Sequence, residues 1–175
     1  MPALPDGAKA WLLIDVDGVL NVDVSNSVGK KLGLTRTRVN SIGSGWNYTL
    51  QLQRWLGAAV REHPVLAPAW ATTWFREVDL WGHPAPISRV AGFPAGLPFV
   101  DLGYYVDDPR ASKVDGIIEF VGDDPFVWLD DDPHRDDVAR LAALPNENLF
   151  VHTDPNVGVT QEQFNKAVTW TNSLA

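Results

Sequence analysis

The 175-residue chain predicts an α/β fold, a parallel sheet with helices on both faces. Three observations carry that expectation. Short apolar runs at residues 11–14, 65–71, 126–129 and 148–152 alternate with stretches whose apolar residues recur at helical spacing, the rhythm of a parallel sheet. Two of the runs end abruptly in aspartates, at Asp15 and Asp130, and in an open α/β sheet the carboxyl ends of the strands form the ligand crevice. Hydrophobic content of 45% and charged content of 21% are ordinary for a globular chain, and the length suits a single domain.

Taken in order, the first strand is Trp11–Ile14, closed by Asp15-Val16-Asp17 and a turn at Gly18. Residues 22–49 are rich in Ser, Gly, Asn and Thr, with an alternating patch from Leu34 to Val39; they read as a two-stranded flap with its loop at Ser41–Gly45. Leu50–Arg61 is a helix with Leu52, Trp55, Leu56, Ala59 and Val60 on one stripe, ended by His63-Pro64. Val65–Ala71 is a strand that runs into Thr72-Thr73, and a second helix covers Trp74–Trp81. Residues 82–98, dense in Gly and Pro, are irregular chain or a second small insertion, and Leu97–Leu102 is a short strand candidate. A helix over Ala111–Phe120 starts near Ser112-Lys113, with Val114, Ile117, Ile118 and Val121 on its apolar side. Phe126–Leu129 is the next strand, Asp136–Leu144 a helix, Asn148–His152 the last strand, and Thr160-x-x-Gln163 a capping box opening the final helix.

Composition narrows the chemistry. The absence of cysteine excludes disulfides, thiolate metal sites and cysteine nucleophiles. No secretory signal is visible and no apolar run reaches the roughly 18 residues of a membrane span, so the expectation is a soluble, cytoplasmic protein with no membrane and no obligate protein partner. Net charge is −8, yet residues 24–61 hold six basic residues, Lys30, Lys31, Arg36, Arg38, Arg54 and Arg61, and no acid. That segment is either a solvated basic face or a flap that draws a polyanionic substrate towards an acidic site. The four histidines are scattered without metal-ligand spacing. Of the eight tryptophans, Trp11, Trp70 and Trp128 fall in strand runs and are expected in the core; Trp46 and Trp74 are candidates either for core packing or for stacking on a base or sugar.

The acids are the centre of the chemistry. Neighbouring carboxylates raise one another's pKa unless a cation lies between them, so Asp15 and Asp17 ask for a metal ion, a shared proton, or both. The strand Phe126–Leu129 delivers three more, Asp130, Asp131 and Asp132. Mg²⁺ takes hard oxygen ligands, of which one or two are typically carboxylates. Asp132, followed by Pro133, is expected to cap the next helix.

Asp15-Val-Asp17-Gly18-Val-Leu20-Asn21, Ala71-Thr72-Thr73-Trp74, Lys113 and Trp128-Leu-Asp130-Asp131-Asp132 resemble, in order, the four motifs of the haloacid dehalogenase-like (HAD) superfamily. The resemblance implies a three-layer Rossmann-like sheet of about five strands, spatial order 5-4-1-2-3 without counting the flap, and a minimal cap of the C0 type at 22–49. It also implies an Mg²⁺-dependent phosphatase working through an aspartyl-phosphate, with Asp15 as nucleophile and Asp17 as acid and base. Thr72, or Thr73 in its place, and Lys113, with Arg110 as its rival, would bind phosphate. Mg²⁺ would take Asp15, Asp130 and the backbone carbonyl of Asp17, with Asp131 as a further ligand or as an outer partner of water or Lys113. The substrate expected is a small phosphomonoester, with a nucleotide suggested by the basic flap residues Arg36 and Arg38 beside Trp46 and Trp74. Compact bacterial and phage members linked to RNA repair look most similar, which makes a 3'- or 5'-nucleic-acid-end phosphatase the alternative. A non-catalytic HAD domain that binds a phosphorylated ligand or a partner would be expected to lack a motif carboxylate, and none is missing here.

Overall fold

The computed structural model describes residues 2–22, 31, 33–34, 37–41, 44–48, 50–73, 93, 97–102 and 112–175. Its main sheet has four parallel strands: β1 (Ala10–Ile14), β4 (Leu66–Trp70), β5 (Phe126–Asp130) and β6 (Asn148–His152), in the order β4-β1-β5-β6. Between β1 and β4 in sequence lie β2 (Thr37–Ser41) and β3 (Ser44–Tyr48), which pair antiparallel as a separate two-stranded sheet. The helices are α1 (Leu50–Glu62), α2 (Lys113–Val121), α3 (Asp137–Ala142) and α4 (Gln161–Ser173). None among the described residues is long and apolar enough to cross a membrane.

The central strand is apolar throughout because both of its faces are covered. Every residue of β1 is buried, as expected for a parallel strand flanked by helices on each side. Successive side chains leave the sheet on opposite faces. Ala10, Leu12 and Ile14, with Val127 and Leu129 from β5, join Leu56 and Val60 of α1 and Phe164 and Ala167 of α4 in one core. Trp11 and Leu13, with Phe126 and Trp128, join Val114, Ile117 and Phe120 of α2 and Leu141 of α3 in the other. The result is three layers, helix, sheet, helix. Trp11, Trp70 and Trp128 are all buried, each burial of this kind contributing about 1.5–3 kcal/mol or more.

Helix ends follow local chemistry. Ser112 caps α2 by accepting from the Val114 N–H at 3.1 Å, and Thr160 with Gln163 forms the reciprocal box that opens α4. The third helix begins later than expected. Its N-cap is Asp136, with no side-chain cap bond, and Asp132 does not cap it: four residues separate Asp132 from the helix, and its N–H turns back to Asp130 Oδ1 at 2.9 Å.

The strand expected at Leu97–Leu102 contributes a single parallel bridge, Trp70 with Phe99. Proline explains why it goes no further upstream. The Trp70 N–H points outward to the Pro98 carbonyl at 2.9 Å, and Val100 N–H returns to the Trp70 carbonyl at 2.7 Å. The next outward-facing position on β4 is Pro68, which has no N–H to donate. The expected helix at 74–81 lies outside the described residues, as does the irregular chain or insertion expected at 82–98 apart from residues 93, 97 and 98.

Candidate functional site

The carboxyl ends of the parallel strands meet at one edge of the sheet, where Asp15 follows β1, Thr72 follows β4 by one residue, Asp130 ends β5 and Asp131 follows it. Parallel register makes this meeting unavoidable, since Ile14 lies opposite both Trp70 and Leu129. The Ala71 N–H extends the pairing to the Ile14 carbonyl at 2.9 Å, and the Asp15 N–H extends it to the Leu129 carbonyl at 3.1 Å. Lys113, the first residue of α2, enters the same edge from the layer beneath.

Lys113 is the cation that this edge requires. Its ammonium donates to Asp15 Oδ2 at 2.9 Å and to Asp130 Oδ2 at 2.6 Å, and all three side chains are at least nine-tenths buried. The second oxygen of each acid is held by backbone: Val16 N–H donates to Asp15 Oδ1 at 2.6 Å, and Asp132 N–H to Asp130 Oδ1 at 2.9 Å. Both carboxylates are thereby fixed in rotation as well as position. Burial on its own would lower the Lys113 pKa, but Asp15 and Asp130 outweigh it and hold the ammonium above the ordinary lysine value.

One ammonium does not balance the acids. Asp15, Asp130 and Asp131 each present a carboxylate oxygen within 4.8 Å of the others. Burial first, and then the Asp15 charge, push Asp130 up to about 7 in spite of Lys113. The same two causes push Asp131 up to about 6. Acids so shifted mark a place where a second cation would be stabilised. The donor set fits Mg²⁺: three carboxylates, all hard oxygen donors, with no nitrogen or sulfur ligand among them.

Asp17 stands apart from these three. It is exposed, and Asn21 Nδ2 donates to its Oδ1 at 3.0 Å, so its carboxylate is not part of the cluster expected to hold metal. The loop that carries it is tight. Leu20 and Asn21 N–H groups both donate to the Val16 carbonyl, and Gly18 N–H to the Asn21 carbonyl, all at 2.8–2.9 Å. Gly18 is required twice over. Its φ is +65°, and a Cβ there would lie 2.0 Å from Asp131 Cγ, so the Asp131 carboxylate rests directly on the glycine.

Thr72 is buried and Thr73 half-buried. Arg38 and Trp46 fall on β2 and β3. Arg36, Trp74 and Arg110 lie outside the described residues.

Three contributors were not singled out in the sequence. Asp137 is completely buried and accepts from the Ser112 hydroxyl and, at 3.0 Å, from His134 N–H, which ties the residue before Lys113 to the chain leaving Asp132. Thr153 is also completely buried, and His152 Nε2 donates to the Asp131 carbonyl at 2.9 Å. The signal for Thr153 was legible: Val151-His152-Thr153 ends a strand in a hydroxyl, as Trp70-Ala71-Thr72 does. Nothing in Asp136-Asp137 distinguishes the buried acid from the exposed one.

Compared with protein-family models, with curated proteins and with solved structures, the chain matches none.

Proposed function

We propose that this chain is a HAD-like phosphatase that hydrolyses a phosphomonoester with Mg²⁺ through an aspartyl-phosphate on Asp15. The observation that carries this reading is the Lys113 ammonium bound to both Asp15 and Asp130, with Asp131 close enough to complete a three-carboxylate cation site. Phosphoryl transfer asks chiefly for positioning and for positive charge around the non-bridging oxygens. A buried lysine beside a rigid carboxylate and a second cation site meets both needs.

In the proposed cycle, Asp15 Oδ attacks phosphorus, forming the acyl-phosphate bond as the P–O bond to the leaving group breaks. Its orientation is set by the Val16 N–H on one oxygen and Lys113 on the other. Asp17, exposed two residues on, gives its proton to the leaving oxygen, then takes one from the water that attacks the aspartyl-phosphate. Thr72, buried at the end of β4, donates to a non-bridging phosphoryl oxygen. Asp15, Asp130 and Asp131 are the residues that would hold Mg²⁺, which when bound supplies Lewis-acid polarisation and charge neutralisation at the phosphoryl oxygens.

The test is turnover of p-nitrophenyl phosphate with Mg²⁺ by the intact chain and by Asp15→Asn. Hydrolysis that disappears in the variant and with chelator, with thermal unfolding of the variant close to that of the parent, is the expected result. Activity retained by Asp15→Asn refutes the nucleophile, and chelator-insensitive activity refutes the metal. The same assay across nucleoside monophosphates, sugar phosphates and 3'- or 5'-phosphorylated oligonucleotides identifies the substrate class.

A further inference from the structure

The C-terminal end of β6 touches the candidate site at three backbone atoms. Thr153 N–H donates to the Asp130 carbonyl at 3.0 Å. The Thr153 hydroxyl donates to the Gly18 carbonyl at 3.0 Å, 135 residues away in sequence. His152 Nε2 takes the Asp131 carbonyl, and its own carbonyl accepts from Gln163 Nε2 at 2.8 Å, so the strand end is anchored to the opening of α4. No oxygen named here is a reacting atom. The end of β6 acts on the site from behind.

We infer that Thr153 is a positioning residue that locks the loop bearing Asp17 and Gly18 against the strand end bearing Asp130 and Asp131. Gly18 is the point of leverage. Its Cα lies against the Asp131 carboxylate, so closely that no Cβ fits between them. Displacement of Gly18 therefore moves the wall on which Asp131 rests, and with it the spacing of the three-acid cluster. The hydroxyl is fully buried, so without it the Gly18 carbonyl loses this partner where water does not reach, a loss that favours opening of the loop. A threonine suits the task because its branched carbon packs while its hydroxyl reaches across, and the backbone N–H of the same residue fixes Asp130. One residue thus bonds both the loop after β1 and the strand end that leads into the loop after β5.

The catalytic part of this inference rests on the phosphatase reading, and the positioning part does not. The test compares Thr153→Val, which keeps the shape and deletes the hydroxyl, with Thr153→Ser, which keeps the hydroxyl. Amide hydrogen exchange is measured at Gly18, Leu20 and Asn21, and kcat and KM are measured on p-nitrophenyl phosphate with Mg²⁺. Thr153→Val is expected to speed exchange at those three amides by roughly tenfold or more relative to amides in α1 and α4. It is expected to lower kcat by about 10- to 100-fold with KM altered less than about threefold, and Thr153→Ser is expected to restore both. Exchange that rises uniformly, kcat that stays at the parent value while the three amides open, or failure of Thr153→Ser to restore overturns the inference. If Thr153→Val does not fold, Thr153→Ala removes the same hydroxyl and is judged by the same readouts. A parent protein that hydrolyses no phosphate defeats the phosphatase reading alone; the exchange pattern and its rescue then decide the positioning role.

Discussion

Replacing Lys113 with methionine keeps an unbranched stem and deletes the ammonium 2.9 Å from Asp15 and 2.6 Å from Asp130. At an effective dielectric of about 20, each contact is an attraction of about 6 kcal/mol, most of which offsets the cost of taking three charges out of water. Removing one partner from a buried pair typically costs about 3–5 kcal/mol. The upper half of that range is expected here, because two carboxylates lose their cation together. The loss depends on pH with a definite sign. Asp130 titrates near 7 in the folded protein against 3.8 as its ordinary value, so the metal-free fold binds the extra proton. The stability this group contributes is fully present below about pH 4 and is lost as pH rises towards 7. In Lys113→Met the decline steepens, and the gap from the parent narrows in acid, where the orphaned Asp130 is neutral. On the proposed Mg²⁺ site, the ion at about one hundred times its Kd is expected to return about 2.7 kcal/mol. Urea unfolding followed by tryptophan fluorescence, between about pH 4 and pH 8 with chelator or with Mg²⁺, measures all of this. A loss below about 1 kcal/mol at neutral pH in chelator, or a loss that neither acid nor Mg²⁺ reduces, refutes the electrostatic account of the site.

Two glycines give further checks. Gly18→Ala places a side chain at φ +65°, a strain of about 1–2 kcal/mol, and drives it into Asp131 at 2.0 Å; Mg²⁺-dependent stabilisation in thermal unfolding is expected to weaken by more than the stability loss alone explains. Gly116→Ala sits within α2, where alanine ordinarily gains about 1 kcal/mol. Here its Cβ meets the Asp101 carbonyl at 2.2 Å, so a lower unfolding midpoint is expected, and a raised one refutes the close approach.

The sequence shows most clearly what is written in continuous runs. Apolar β1, followed at once by an aspartate, β5, ending in one, and the Thr160–Gln163 box are local patterns, and the elements form within a residue or two of where those patterns place them. Asp15 and Asp130 could be named because strand ends must converge in a parallel sheet, Lys113 only through the HAD resemblance, and the structure brings the three together. What escaped depends on contacts distant in sequence. Buried Asp137 takes one of its two partners from Ser112, 25 residues earlier, and Thr153 matters through Gly18. Asp132 was misassigned because a proline after an acid reads as a helix start, whereas its N–H is spent on Asp130 and the helix opens at Asp137. The expected fifth strand shrank to a bridge for a reason visible in Leu-Ala-Pro-Ala-Trp, since the outward register of Pro68 is known only once β4 has paired with β1.

That proline has a consequence for how the molecule meets its own copies. An unpaired strand edge offers alternating donors and acceptors to any extended chain, which is how sheets grow between molecules. Among the described residues β4 is the last strand on its side of the sheet, and there the regular array is broken, because Pro68 contributes a carbonyl with no N–H beside it and the Trp70 groups are already engaged by Pro98 and Val100. A second chain laid along this border would find an acceptor without the neighbouring donor needed to continue a ladder. Substituting an ordinary residue at position 68 would restore that donor and, with it, a template for intermolecular strand addition.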